Sequence, residues 1–328
     1  MQDTPDGSFL AAIEPLRGGL RLHCYRMLGS SHDGDDVVQE ALVRAWRAHE
    51  SLDDPSRMKA WLYRIATNVC LDELKRRPKR ALATEAFPPS APIVPPAPAL
   101  DEAVWLEPMP DAWLDAAGAA DPAARYTLKE SVALAFVAAL QILSPAQRAT
   151  LLLRDVIGLS AEETAAALGI GVAAANSALQ RARTAVQEKL GGRDAAAFAE
   201  TAQPVDEALL FRYVRAFEES NIDALVALFH DDVRTSMPPS PTWFAGLAAN
   251  VDFYRHMFPP DGGKIVRILR THANGQTALA FYRATVGEPL LLRAIQLLGA
   301  RDGKIATIDH FMTPAVFPLF GVPGEWRD

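Results

Sequence analysis

Between residues 143 and 190, apolar positions recur at helical spacing, and each run is bounded by residues that start or stop helices. Ser144-Pro145 sets an N-cap hydroxyl before a proline at the first helical position, and Gln147 completes a capping box. That helix runs through Leu151, Leu152 and Val156 and stops near Gly158. Ser160 and Glu163 repeat the arrangement for a short helix over 161–168, ended by Gly169, and Gly169-Ile170-Gly171 turns the chain into a third helix from near Val172. There Ala175, Leu179, Ala182, Val186 and Leu190 recur at spacings of 4, 3, 4 and 4, forming one apolar face. Ser177, Gln180, Arg181 and Thr184 fall opposite, with Asn176 at the flank. Two short helices joined by a tight glycine turn are the pattern of a helix-turn-helix. Arginine can bond guanine edges and Gln or Asn adenine edges in a major groove, while Arg183 and Lys189 are placed to reach phosphates. A solvated face on a helical hairpin is the plainer alternative.

The earlier pattern, residues 8–80, is also helical. Residues 35–46 (DDVVQEALVRAW) place Val38, Leu42 and Trp46 on a buried side and offer Asp35, Asp36, Gln39 and Glu40 as an acidic surface. Residues 61–77 (WLYRIATNVCLDELKRR) bury Leu62, Ile65, Val69 and Leu74 and end in a basic run, which taken alone is a solvated helix terminus. Residues 81–128 read as a Pro/Ala-rich acidic linker, because 88–100 (PPSAPIVPPAPAL) cannot form a regular helix. Helical pattern returns over 129–192. Over 203–320 it changes. Two helices, 209–219 and 222–229, precede strand-like runs at 264–273, 276–286 and 290–312, with Asp302-Gly303 as a hairpin turn. This block reads as α+β.

Composition changes the picture in two places. The 328 residues carry a net charge of −7, which by itself argues against nucleic acid, yet the charge is segregated. Arg64, Lys75, Arg76, Arg77, Lys79 and Arg80 concentrate in 61–80, whereas 84–128 hold Arg125 alone against seven acids. Local basic patches matter more for phosphate binding than the total. Cys24 and Cys70 are too few for a disulfide scaffold or a zinc site and lie in apolar helical patterns, as buried thiols do. No apolar run reaches the length of a membrane span, and the acidic first residues lack the features of a signal peptide, so a cytoplasmic protein is expected.

Together these segments resemble a known family. DDVVQEALVRAW and WLYRIATNVCLDELKRR look like region 2 of the extracytoplasmic-function sigma factors of the sigma-70 family, and residues 143–183 look like their region 4. The two blocks occur in the expected order with a linker between, and cover about 130 of the 328 residues. Residues 203–320 resemble the SnoaL-like branch of the NTF2-like fold. The resemblance implies a multidomain chain, with two all-α sigma domains (a region 2 helical bundle and a region 4 helix-turn-helix) and a C-terminal α+β cone. It implies that Asp36, Gln39 and Glu40 face the β′ coiled coil of core RNA polymerase, whose β′ and β subunits are the expected partners. Residues 51–59, leading into Trp61, would hold a flipped base of the promoter −10 element. Arg64, Asn68, Lys75 and Arg76 would follow the non-template strand, and Asn176, Ser177, Gln180 and Arg181 would read the −35 element. Ala173-Ala174-Ala175-Asn176 departs from the commonest region 4 pattern, which leaves the −35 sequence open.

Relatives with this extension carry a linker motif matched here by Trp105-Leu106-Glu107-Pro108 and a domain motif matched by Asp261-Gly262-Gly263-Lys264. The resemblance implies regulatory contacts through Trp105, Asp261, Gly262, Gly263 and Lys264. Phe211, Tyr213, Phe217, Trp243, Phe244, Phe281, Ile295, Phe311 and Met312 are candidate cone or core residues. Asp309-His310 could serve proton transfer, as in enzymes of this fold, with one side chain inward; a structural pair is favoured. No catalytic residue, metal or cofactor is expected, and the cone can hold a small ligand or be empty. The expected function is promoter-specific initiation as a polymerase subunit. Its alternatives are a ligand-sensing helix-turn-helix regulator without polymerase contacts, and an enzyme with a vestigial DNA-binding half.

Overall fold

The structure, a computed structural model, describes residues 7–326 apart from 53, 92–95, 101–104, 118–127, 129, 192–204 and 259–262. The chain divides into two compact units, one formed by residues up to 80 with 111–194, the other by 81–110 with 195–328. The expected 81–128 linker is therefore split between them. Its first part packs with the C-terminal sheet, because Trp105, Leu106 and Met109 are buried there.

The first unit is all-α. Helices α1 (Gly7–Leu28), α2 (Ser31–Arg47) and α3 (Met58–Leu74) form its N-terminal part. Gly29, at φ 68°, ends α1, and the Ser30 side chain accepts from Asp33 N to start α2. A short α4 (Ala112–Ala116) and α5 (Leu134–Gln141) follow. Helix α6 (Pro145–Leu151) continues as a π turn through Val156, and α7 (Ala161–Leu168) and α8 (Val172–Gly191) complete the unit. The two expected capping boxes are both formed. Gln147 N reaches the Ser144 hydroxyl and Glu163 N the Ser160 hydroxyl, and each acid or amide reaches back to its cap. Gly169 caps α7 at φ 64°, where a side chain would be strained.

One apolar core joins both sequence blocks. Leu20, Cys24, Val38, Leu62 and Cys70 pack in the same cluster as Leu140, Leu152, Leu159, Leu179 and Ala182. Two buried cations cross it. Arg26 donates to the Ser131 carbonyl and hydroxyl at 3.0 and 2.6 Å, and Arg148 donates to the carbonyls of Met27, Gln141 and Leu143 and to Gln141 Oε1. Burial lowers both guanidinium pKa values to about 10, so both stay charged at neutral pH. His23, 2.8 Å from the Thr67 hydroxyl, is pushed down to about 3 by burial and then by Arg26, and is neutral. Cys24 and Cys70 are fully buried free thiols.

The second unit is a mixed sheet with helices. Helices α9 (Glu207–Glu218) and α10 (Ile222–Ala227) precede β1 (Phe229–Ser236), β2 (Trp243–Ala245) and α11 (Leu247–Met257). Strands β3 (Lys264–Ala273), β4 (Gln276–Thr285), β5 (Leu291–Arg301) and β6 (Lys304–Phe311) follow. The sheet order is β2-β1-β6-β5-β4-β3, with β1 and β6 parallel and the other neighbours antiparallel. Register shifts between Phe281 and Tyr282 and between Gly299 and Ala300 mark the irregularities that let a sheet curve. Asp302 and Gly303 both take positive φ in the β5–β6 turn, as the Asp-Gly signal requires.

Tyr213, Phe217, Phe244 and Phe281 belong to the helix-covered core, with Met312 half-buried against it. Phe211 does not. It is 62% exposed, because α9 turns its apolar stripe of Leu209, Leu210, Tyr213 and Phe217 inward and Phe211 falls on the opposite side. Trp243 lies instead in a separate cluster with Ala83, Phe87 and Trp105, since β2 is the sheet edge. Residues 81–110 are stitched along that edge by Ser90 N to Trp243 O, Ala97 N to the Thr242 hydroxyl and Leu100 N to Pro239 O. They are tied again at the β3–β4 turn, where Met109 and Asn274 exchange hydrogen bonds of 2.9 and 3.0 Å.

Candidate nucleic-acid interface

Helix α2 sorts its acids by partner. Asp35 turns toward α1 and pairs with Arg21 at 2.7 Å, so it leaves the surface expected for it. Asp36, Gln39 and Glu40 are exposed, and with exposed Val43 they occupy one face at i, i+3, i+4 and i+7. Among the described residues Asp36 and Glu40 pair with local partners on the same helix, His32 at 3.8 Å and Arg44 at 2.8 Å. Burial on α2 falls on Val37, Val38, Ala41 and Ala45, while Leu42 and Trp46 are half-buried.

On α3, Arg64 and Asn68 are exposed one turn apart, and Lys75 continues the line beyond the helix end. Between them Asp72 accepts from Lys75 at 3.0 Å, and Arg76 lies 3.8 Å from Glu73. The basic run is not uniformly solvated. Arg77 and Arg80 both reach Asp33 Oδ2 at 2.6 Å, with Arg80 5% and Asp33 6% exposed. Arg77 also pairs with Glu73. The clamp fixes the chain leaving α3 against the start of α2, and nothing in the local sequence around Asp33 announces it.

The segment ahead of α3 is organised by Asp54, whose carboxylate accepts from Ser56 N at 2.9 Å and is held below the usual range by the Ser56 side chain first and then by that backbone bond. A cavity of about 180 Å³ opens beside it, walled in part by Ser51, Leu52, Arg57, Trp61 and Arg64. This is the region assigned from the sequence to a flipped base.

In the helix-turn-helix, Ala175, Leu179, Ala182 and Val186 are buried as their spacing predicts. Asn176, Ser177, Gln180 and Arg181 are all exposed, presenting a polar face of donors and acceptors. Arg183, expected at phosphate, makes a two-pronged pair with Asp155 at 2.8 and 2.6 Å. That pair braces α8 against the end of α6.

In the second unit, Asp261 and Gly262 lie outside the described residues. Gly263, at φ 56°, accepts from Val286 N, and Lys264 donates to the Met257 carbonyl with its ammonium 5.6 Å from the Phe258 ring centre. Lys264 thus closes the C-terminus of α11. Trp105 packs on Phe87 at 5.4 Å between ring centres and bridges to Ala81. Of Asp309-His310, His310 points into the helix-covered side. Gln296 Nε2 donates to its Nδ1 at 2.9 Å, which leaves the proton on Nε2, 3.2 Å from the Tyr254 hydroxyl. Burial pushes His310 down to about 3, with Arg283 adding to the effect, so it is neutral with both nitrogens engaged. Asp309 faces the other way and accepts from the Ser236 hydroxyl at 2.6 Å, and burial raises its pKa. The two side chains are separated by the strand and share no reacting centre. Among the described residues no group of three or more His, Cys, Asp or Glu could hold a metal, and no helix is long and apolar enough to cross a membrane.

Comparison with known proteins matches Sigma-70 region 2 over residues 12–80, Sigma-70 region 4 over 133–186 and a SnoaL-like domain over 210–308. The ECF RNA polymerase sigma factor SigG of Mycobacterium tuberculosis is 42% identical over 323 residues, covering 98% of this chain and 85% of SigG. SigJ of the same species is 28% identical over 225 residues, 68% of this chain and 63% of SigJ. The crystal structure of SigJ superposes with a TM-score of 0.56 at 23% identity, covering 96% of this chain and all of that one, a likeness of fold.

Proposed function

Because the chain belongs to the extracytoplasmic-function RNA polymerase sigma factors, we propose a division of labour among its exposed faces. As a sigma factor it binds core RNA polymerase and directs promoter-specific initiation of transcription. The α2 face of Asp36, Gln39 and Glu40 docks on a basic polymerase surface, where charge complementarity speeds encounter and fixes orientation. Arg64, Asn68, Lys75 and Arg76 follow the melted −10 strand, and Asn176, Ser177, Gln180 and Arg181 read the −35 duplex.

One observation carries this reading. Every one of these polar side chains is exposed, on or just beyond helices that bury another face in one apolar core. The protein works in the cytoplasm, where its polymerase and promoter are, and its C-terminal cone does no chemistry: the one inward titratable group of the Asp309-His310 pair is consumed by Gln296 and Tyr254. That domain regulates, through the segment 81–110 that runs on from α3 and is stitched to its sheet at two places. Trp105, in the cluster at the β2 edge, and the loop from Asp261 to Lys264 are the contacts through which it would act.

The −35 assignment has a direct test. Gln180→Ala and Arg181→Ala are each expected to cost about 1–3 kcal/mol of discrimination for the −35 duplex. The measurement is competition binding between the selected −35 sequence and its single-base variants. Loss spread evenly over all sequences would mean that these side chains touch phosphate and not bases.

A further inference from the structure

We infer that one end of the C-terminal sheet binds a small apolar carboxylic acid, with the carboxylate held by Arg283. The site lies wholly within the second unit and does not depend on the assignments made for the first. Arg283 of β4 stands opposite Val266 of β3, and directly opposed residues of antiparallel strands share a face. Val266 is fully buried in the helix-covered core with Phe281, so Arg283 turns its side chain to that same side. Its neighbour Tyr282 points the other way and donates to the Pro323 carbonyl at 2.8 Å. Beyond Arg283 the strand runs out into solvent, since Thr285, Val286 and Glu288 are exposed.

Two more cations converge there. Lys264 is two positions from Val266 on β3 and so shares its face, with the ammonium 5.6 Å from the Phe258 ring centre. Arg293 of β5 donates to the Arg283 carbonyl at 3.5 Å. The charges act on one another. Burial and then Arg293 lower the Arg283 pKa, and burial and then Arg283 lower that of Lys264. Elsewhere in this unit Arg215, Arg255, Arg270 and Arg301 each pair with an acid. Among the described residues no carboxylate pairs with Arg283, Arg293 or Lys264, and the Arg283 side chain makes no hydrogen bond. Arginines withdrawn from water are ordinarily paired, and an anion seated among these three cations would offset their mutual repulsion.

The surroundings select the kind of anion. A guanidinium is a planar fork that matches the two oxygens of a carboxylate. Next to Arg283 the same side is apolar. Phe281 is the preceding inward residue of β4 and pairs with Ala294, Phe258 lies beside the Lys264 ammonium, and Met312 is half-buried against this core. The polar groups further in, Gln296, Tyr254 and His310, are already engaged with one another. One charged end and an aromatic or aliphatic body therefore fit, with the body toward Phe281 and the charge on the arginine.

The test is calorimetric titration of the full chain with benzoate, with neutral benzamide of the same shape and with inorganic phosphate. Benzoate should saturate a single site, and benzamide and phosphate should each bind about tenfold or more weakly. Arg283→Gln should weaken benzoate by about tenfold or more, and Arg283→Lys by less, because it keeps the charge and loses the fork. Arg270→Gln, on the same sheet but paired with Glu207 at the surface, should leave benzoate binding unchanged. The thermal transition of each variant reports whether it is folded. Should Arg283→Gln fail to fold, Arg293→Gln takes its place, with a loss of about threefold or more expected from the removed charge. Absence of saturable benzoate binding, or an affinity that the glutamine variant leaves unchanged, overturns the inference. Benzamide bound as tightly as benzoate removes the role of the charge, and phosphate bound as tightly removes that of the apolar body; either result also overturns it.

Discussion

Reversing two charges on α2, by Asp36→Lys with Glu40→Lys, is expected to abolish assembly with core polymerase and leave the fold standing. In the free chain these side chains do little. Asp36 is 65% and Glu40 49% exposed, and among the described residues each pairs with a neighbour one turn away on the same helix. An exposed pair such as Glu40 with Arg44 contributes about 0.3–0.5 kcal/mol, and the reversed charge would replace it with a repulsion of similar size. Across an interface the balance is different, because like charges brought together cost several kcal/mol. The affinity for core should fall by about a hundredfold or more. Titration of labelled protein with purified core measures it, with the thermal transition as the control for folding. An unchanged affinity would remove α2 from the polymerase interface.

Asp33→Ala is expected to produce the largest loss of stability. Asp33 is the shared acceptor of Arg77 and Arg80, and Arg80 is 5% exposed. Removing the carboxylate takes the shared acceptor from a buried guanidinium, at a cost of about 3–5 kcal/mol. Adding Arg80→Met to the same chain should recover much of that loss, since it removes the buried charge that Asp33 balances. Urea unfolding followed by a probe in the first unit separates the cases, because a chain of two units need not unfold in one step. A loss below about 1 kcal/mol for the single change would show that the arginines find water instead of remaining buried.

What could be read from the sequence was mostly local. The helix-turn-helix was legible residue by residue, because Ser144, Ser160 and Gly169 act on backbone groups within four positions of themselves. The strand-like runs 264–273, 276–286 and 290–312, the last divided at Asp302-Gly303, were legible for the same reason, and the structure forms them as β3 to β6. What escaped depends on distant partners. β1 was missed because it pairs in parallel with β6, more than 70 residues on, and β2 because it has only three residues. The Asp33 clamp joins residues 44 and 47 apart, and Asp35 and Asp36 cannot be told apart until Arg21 is placed beside one of them.

The acidic stretch before residue 111 reads as a spacer by composition, yet Trp105, Leu106 and Met109 make it part of a folded unit. Proline prevents a helix there but does not prevent an extended segment from pairing with a sheet edge. In the candidate site, exposure of the polar faces followed from helical period. The wall that α7 adds to the pocket beside Trp61 did not, since it joins two sequence blocks separated by about a hundred residues.

Transcription in vitro with purified core polymerase puts the whole division of labour to the question, using the full chain on a promoter carrying both elements. Specific transcripts should appear only when the protein is added, and should vanish when either promoter element is scrambled. A polymerase that starts no specific transcript with this protein, or starts one regardless of both elements, would contradict the account.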